Sequence, residues 1–266
     1  MLATVTAVRF DHLLTTGRTT PALLSCVRQD GIEIEVVTKF SAGCDRGATA
    51  LAIEALLAML AADLGLPVPE PVLVDVDPDV IDPTVSARAS ELARKSVRPS
   101  FGSVLLPPGF SAVASGKRLD DLVVQAAEIF AFDAMILNPD RRVDKPNCEC
   151  DGRSLAIFDH EAAMAGLDAL GSMFQPYPWV TGSLSPMGLG PGQHVLFTLL
   201  RGKDVQFDRL VAAWATVTDT RLSDYRNALP DTWGSANSVI DQAVEYLAEL
   251  RHHIPAVLDE IRRVLT

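Results

Sequence analysis

The apolar pattern of this chain shifts at Pro107-Pro108-Gly109 from mainly strand-like to mainly helical, and that shift limits the folds open to it. Before it, short β-rich runs predominate: Thr4 to Phe10, Leu23 to Arg28, Ile32 to Phe40, Val72 to Val76 and Phe101 to Leu106. Gln29-Asp30-Gly31 reads as the turn of a hairpin. One long helix interrupts the strands, Ala48 to Leu64, with Leu51, Ala55, Ala58 and Ala62 at helical spacing. Gly65 ends it, and Pro67 and Pro69 bar its continuation. Asp77 to Pro83 reads as a turn-rich loop and Val85 to Lys95 as a small helix. After the change, helices are predicted over Leu119 to Leu137, Asp208 to Thr216, Thr220 to Ala228 and Ser238 to Leu265. Between them lie a polar loop (Asn138 to Asn147), a short strand (Leu155 to Phe158) and a Gly- and Pro-containing irregular loop (Phe174 to Gln193). The expectation is an α+β fold: a strand-rich part over 1–110, then a helical part over 111–266, with the seam near Pro107 to Ser115. Ligands commonly bind in the cleft between two such parts.

Composition removes several function classes. The longest apolar run, Ala50 to Leu66, is broken by Glu54 and Asp63, so no transmembrane helix is expected. The first residues lack a basic-then-apolar leader, which points to a cytoplasmic address. A net charge of −11 argues against broad binding to nucleic acid or anionic membrane. The four cysteines, Cys26, Cys44, Cys148 and Cys150, do not have zinc spacing and read as reduced thiols.

The chemistry-bearing stretch is Asn138-Pro139-Asp140-Arg141-Arg142-Val143-Asp144-Lys145-Pro146-Asn147, followed twelve residues later by Asp159-His160. An Asp can orient or deprotonate a hydroxyl. An Asn and a second Asp offer the oxygens that Mg²⁺ prefers when it rides on a triphosphate. The apolar strand ahead of Asp159 would hold that ligand rigidly. In the first part, Val37 and Lys39 share one face of their strand, a combination that suits a purine with phosphates beyond it. Glu54, in the apolar helix that follows, is placed to pair with Lys39. The hydroxyls, Gly17, Arg18, Thr19 and the backbone of Thr15 to Pro21 suit phosphate wrapping, although no Walker A or Gly-x-Gly-x-x-Gly pattern is present.

Taken together these segments resemble the HipA-like kinases, a bacterial branch of the protein-kinase-like and phosphatidylinositol-kinase-like superfamily. The resemblance rests on Gly17 to Pro21, Asp30-Gly31 with Val36-Val37-Thr38-Lys39, and the Glu54 helix running into Leu64-Gly65-Leu66-Pro67-Val68-Pro69. It continues in Phe132-Asp133, Asn138-Pro139-Asp140-Arg141, Lys145-Pro146-Asn147, Ile157-Phe158-Asp159-His160 and Leu229-Pro230-Asp231-Thr232-Trp233. The short, stand-alone subgroup is the nearer likeness. The resemblance implies a bilobal kinase-like fold, with 1–110 as a small lobe of antiparallel sheet plus one helix and 111–266 as a larger helical lobe. It implies ATP and Mg²⁺ as cofactors and a protein Ser or Thr as acceptor. Lys39 would meet the nucleotide phosphates, held by Glu54. Asp140 would be the catalytic Asp, with Arg141 beside it offsetting charge or holding the γ-phosphate. Asp159 and Asn147 would bind the metal. An antitoxin or other regulatory partner is also implied.

The family pattern places Asn where this chain has Lys145, and His where it has Arg142. A protonated Lys offers donors and no acceptor, so it cannot ligate a metal. Either Asn147 moves into the role, or Asp144 substitutes, or one metal position is lost. A nucleotide-binding pseudokinase is therefore the alternative, and a small-molecule or lipid-headgroup kinase the third reading. The remaining candidates read as ordinary structure. His252-His253 suits a solvated helix face, and His12 and His194 lack ligand partners at metal spacing. Asp77, Asp79 and Asp82 form an acidic turn without EF-hand spacing. Trp179, Trp214 and Trp233 read as packing anchors, and no Gly-x-Ser-x-Gly elbow occurs.

Overall fold

A computed structural model describes residues 2–14, 19–113, 119–167 and 177–266. Its first strand, β1 (Ala3–Leu13), runs longer than the sequence suggests and is followed by β2 (Ala22–Val27) and β3 (Glu33–Lys39). β2 and β3 form the expected hairpin, Leu23 opposite Val37 and Val27 opposite Glu33. Its turn needs Gly31, which sits at φ 86° and donates its N–H to the Arg28 carbonyl at 2.9 Å. Helix α1 (Ala48–Asp63) comes next, then β4 (Pro71–Asp75), α2 (Ala87–Lys95) and β5 (Ser100–Val104).

These five strands do not form the expected antiparallel sheet. They close into a barrel in the order β1-β2-β3-β5-β4. Closure depends on the length of β1. Its later part pairs with β2 from Thr6 onward, while Ala3 to Thr6 lie parallel to Val72 to Asp75 of β4. Two register shifts, between Ala7 and Arg9 and between Phe10 and His12, let one strand serve both neighbours. The core is small and mostly aliphatic: Val5, Leu24, Val36, Phe40, Val72, Val74, Ile81 and Leu92 are all buried. Gly102 of β5 belongs to the same packing, since a Cβ there would lie 2.5 Å from Val36 Cγ1 and 2.6 Å from Val74 Cγ2.

α1 is buried on every side from Ala50 to Ala61, as an all-round apolar helix must be; Ala62, expected on its apolar face, is exposed. Gly65, at φ 67°, closes it with Leu66 N–H on the Ala61 carbonyl and Gly65 N–H on that of Ala62, the double bond of a Schellman end.

The later chain contains β6 (Ser111–Ala112), α3 (Val123–Met135), β7 (Cys148–Cys150) and β8 (Leu155–Ile157), then α4 (Phe197–Leu200), α5 (Asp208–Trp214), α6 (Asp219–Asn227) and α7 (Asn237–Leu265). β6, β7 and β8 make a small sheet, Cys148 opposite Ile157. The four cysteines are buried thiols, and burial pushes the Cys148 thiol up to about 12. The described part of the Phe174 to Gln193 loop is built of turns and two short 3-10 segments. The Glu260 carboxylate accepts from Gly182 and Leu184 N–H and fastens it. Among the described residues no helix is long and apolar enough to cross a membrane.

Two compact units divide the chain, and neither is continuous. One comprises 1–56, 69–106 and 224–240; the other 57–68, 107–223 and 241–266. The expected boundary at 110/111 thus omits two exchanges. Residues 224–240 join the barrel unit, where Trp233 Nε1 donates to the Pro99 carbonyl at 2.8 Å and Thr232 Oγ1 to that of Arg98 at 2.6 Å. Residues 57–68 join the helical unit, where the Pro67 carbonyl accepts from Ile157 N–H at 2.8 Å and that of Leu64 from Arg209 Nη1 at 2.8 Å.

Candidate active site

In the barrel unit, Lys39 ends β3 and is nearly buried. Its Nζ lies 3.2 Å from Oε2 of Glu54, itself 2% exposed. The register of β3, which sets Lys39 opposite Phe101 of β5, and the second turn of α1 bring the two together. Val37 is half-buried between Leu23 and Ser103 on the neighbouring strands. Of the proposed phosphate loop, Gly17 and Arg18 fall outside the described residues. Thr19 packs its carbonyl where a Cβ on Gly43 would stand, so Gly43 admits the close approach.

In the helical unit, the polar loop hangs from a buried ionic network. Asp133, in the last turn of α3, is wholly buried. It accepts from Arg141 Nε at 2.5 Å, Arg141 Nη2 at 3.1 Å, Asn138 Nδ2 at 2.7 Å and His194 Nε2 at 2.9 Å. Leu196 N–H donates to His194 Nδ1 at 3.1 Å, which fixes a neutral imidazole with its proton on Nε2. Burial works to raise the Asp133 pKa, but the Arg141 charge and the hydrogen bonds from His194 and Arg141 hold it far below the usual carboxylate range. His194 is lowered, chiefly by burial and against the pull of Asp133.

Of the two roles expected for Arg141, the γ-phosphate contact does not fit its placement. Its side chain has no exposed surface and forks onto Asp133, so it is not free to meet a γ-phosphate. Its remaining nitrogen, Nη1, donates to the backbone carbonyls of Asn147 and, at 3.2 Å, Phe158. One guanidinium thus ties together the residue at the end of the loop and the residue just before Asp159. Both Asn147 (φ 42°) and Asp159 (φ 63°) adopt left-handed backbone conformations, which Asn and Asp tolerate better than most side chains.

Above this scaffold Asp140, Asn147 and Asp159 converge, with Lys145 among them. Lys145 Nζ is 2.5 Å from Asp140 Oδ2 and 3.1 Å from Asp159 Oδ2. Partial burial lowers the Lys145 pKa, but the two carboxylates outweigh it, and the net shift is upward. Asn147 Nδ2 lies 3.5 Å from both the carbonyl and Oδ2 of Asp140. Asp144 is turned away: its oxygens take Arg142 Nε and Nη2 at 3.0 and 3.1 Å, and its side chain is 70% exposed. It is not placed to replace the missing Asn. The donor chemistry of Asp159 and Asn147 suits Mg²⁺, but the position between Asp140 and Asp159 is taken by an ammonium group.

Asp133 and His194 were not among the residues singled out for function. The signal for Asp133 was present, a lone acid in the apolar run Ala131-Phe132-Asp133-Ala134-Met135. None marked His194, which is 61 residues away. The other candidates are structural. Asp77 caps its turn through Asp79 N–H, and Asp82 accepts from Thr84. His253 pairs with Glu249 and stacks on Trp179.

Residues 12–173 match the HipA-like kinase family. Among solved structures, the chain is similar to the crystal structure of a Helicobacter pylori proinflammatory kinase, CtkA. The identity is 8%, the TM-score is 0.52, and 99% of each chain is covered, a likeness of fold. No curated protein matches the sequence.

Proposed function

The chain belongs to the HipA-like kinase family, and from that premise we propose that it is an ATP-dependent kinase acting on a Ser or Thr hydroxyl of a protein. The convergence of Asp140, Asn147 and Asp159 on one buried scaffold carries the reading. ATP, when bound, supplies the γ-phosphoryl group. Lys39, kept in place by Glu54, provides a fixed positive charge for phosphate oxygens. Asp140 orients the acceptor hydroxyl and takes its proton; Oδ2 is held by Lys145, so that contact falls to Oδ1, with Arg142 Nη1 3.8 Å away. Asp159 and Asn147 would hold Mg²⁺ that travels with the triphosphate. Arg141 acts as a positioning residue, setting the backbone under both. A regulatory or antitoxin protein belongs to the same proposal, as a partner of the acceptor-binding face.

The test is transfer of labelled phosphate from ATP, with Mg²⁺, to the protein itself or to Ser/Thr peptides. Replacing the base-like group, Asp140→Ala, should lower the rate by about 10²- to 10⁴-fold. Transfer unchanged in that variant would overturn the assignment. One observation favours a second reading, a nucleotide-binding pseudokinase: the ammonium of Lys145 lies between the two carboxylates. Saturable ATP binding with no turnover in any divalent metal would select it.

A further inference from the structure

The position of Lys145 has a meaning beyond the loss of an Asn ligand. Its Nζ bridges Oδ2 of Asp140 and Oδ2 of Asp159 at 2.5 and 3.1 Å. Two carboxylates sharing one cation is the arrangement a divalent ion would otherwise create. A tight turn aims the side chain back at Asp140: Arg142 N–H donates to the Lys145 carbonyl at 3.0 Å. The backbone beneath does not depend on Lys145, because Arg141 holds the carbonyls of Asn147 and Phe158 from the other side. Asp144, the remaining acid of the loop, is engaged by Arg142.

We propose that Lys145 is a tethered cation that replaces a divalent metal ion between Asp140 and Asp159. A metal entering that position meets a like charge at contact distance and must first displace it. An ammonium is a compact charge with three donors and no acceptor. It offsets one of the two carboxylate charges and offers N–H groups to an incoming phosphate oxygen. It does so whatever the free divalent concentration. The inference rests on the nucleotide-handling reading above, but its first test does not.

That test is titration of the protein with Mn²⁺ alone, followed by the loss of the free-ion electron paramagnetic resonance signal. The wild-type loop should take up Mn²⁺ at least about tenfold more weakly than Lys145→Asn, which removes the charge and restores an oxygen donor. Asp159→Asn in the Lys145→Asn background should abolish the gain. Lys145→Met removes the charge without adding a ligand and should fall between the two; circular dichroism confirms that each variant is folded. Equal Mn²⁺ affinity in wild type and Lys145→Asn overturns the proposal. The second arm measures ADP binding with EDTA and with Mg²⁺. The ratio of the two affinities should be at least about threefold larger for Lys145→Asn than for wild type, in which only Asp159 and Asn147 meet the nucleotide's Mg²⁺. A wild-type ratio as large as the variant's overturns the proposal too. If ADP and ATP bind neither protein, the kinase reading fails, while the Mn²⁺ arm still decides the role of Lys145.

Discussion

At the scale of single residues, the loop is organised from beneath. Asp133, Arg141 and His194 are buried and joined by hydrogen bonds of 2.5 to 3.1 Å, and the loop residues take their places from Arg141. Removing one member of a buried ion pair leaves an uncompensated charge, and such losses cost about 3–5 kcal/mol. Arg141→Met should therefore destabilise the helical unit by about that much in urea unfolding. The double change Arg141→Met with Asp133→Leu should recover a good part of it, since no charge is then stranded. A single variant as stable as wild type would show that the pair does not anchor the loop. Chain order hid this network. Asp140, Asn147 and Asp159 are readable as a group because they fall within twenty residues. His194 reaches Asp133 only through the fold, and Arg141, adjacent to Asp140, drew a role from its neighbour that its buried side chain does not support.

At the scale of elements, local chemistry was legible and long-range pairing was not. The Gly31 turn, the Gly65 helix end and the apolar length of α1 are set by residues close in sequence, and each appears within a residue or two of its expected place. Barrel closure is different. It depends on β1 meeting β4 almost seventy positions later in parallel, a pairing no short pattern announces. β6 and β7, two and three residues long, are too brief for an alternation to show. Within the barrel the tightest point is Gly102, between Val36 and Val74. Overfilling a packed core costs about 1–3 kcal/mol, so Gly102→Ala should lower barrel stability by that order. Val36→Ala in the same chain should restore part of it by freeing the space of Val36 Cγ1. Thermal unfolding of the two variants decides the matter; an unchanged midpoint for Gly102→Ala would mean the barrel is more open there than described.

For the whole molecule, the buried network makes stability depend on pH in a definite direction. His194 is lowered in the folded state, so the unfolded chain binds its proton first, near the ordinary value of about 6.5. Stability from this group is present above that pH and falls as pH drops below it. Asp133 is also lowered, so its contribution is present above about 3.9 and is lost as pH falls toward its folded value. Acidification from pH 7 to 5 should therefore reduce stability, with a limiting slope of about 1.4 kcal/mol per pH unit from His194. His194→Gln, which keeps an N–H for Asp133 but does not titrate, should flatten the dependence in that interval. A slope unchanged in the variant would assign the effect elsewhere. The bridge of Lys145 across Asp140 and Asp159 carries a consequence of another kind. Lysine and asparagine codons differ only at the third base, and the backbone that positions residue 145's neighbours is held by Arg141. A lineage carrying this loop is thus one transversion away from exchanging a fixed charge for an exchangeable one, with the rest of the gene untouched.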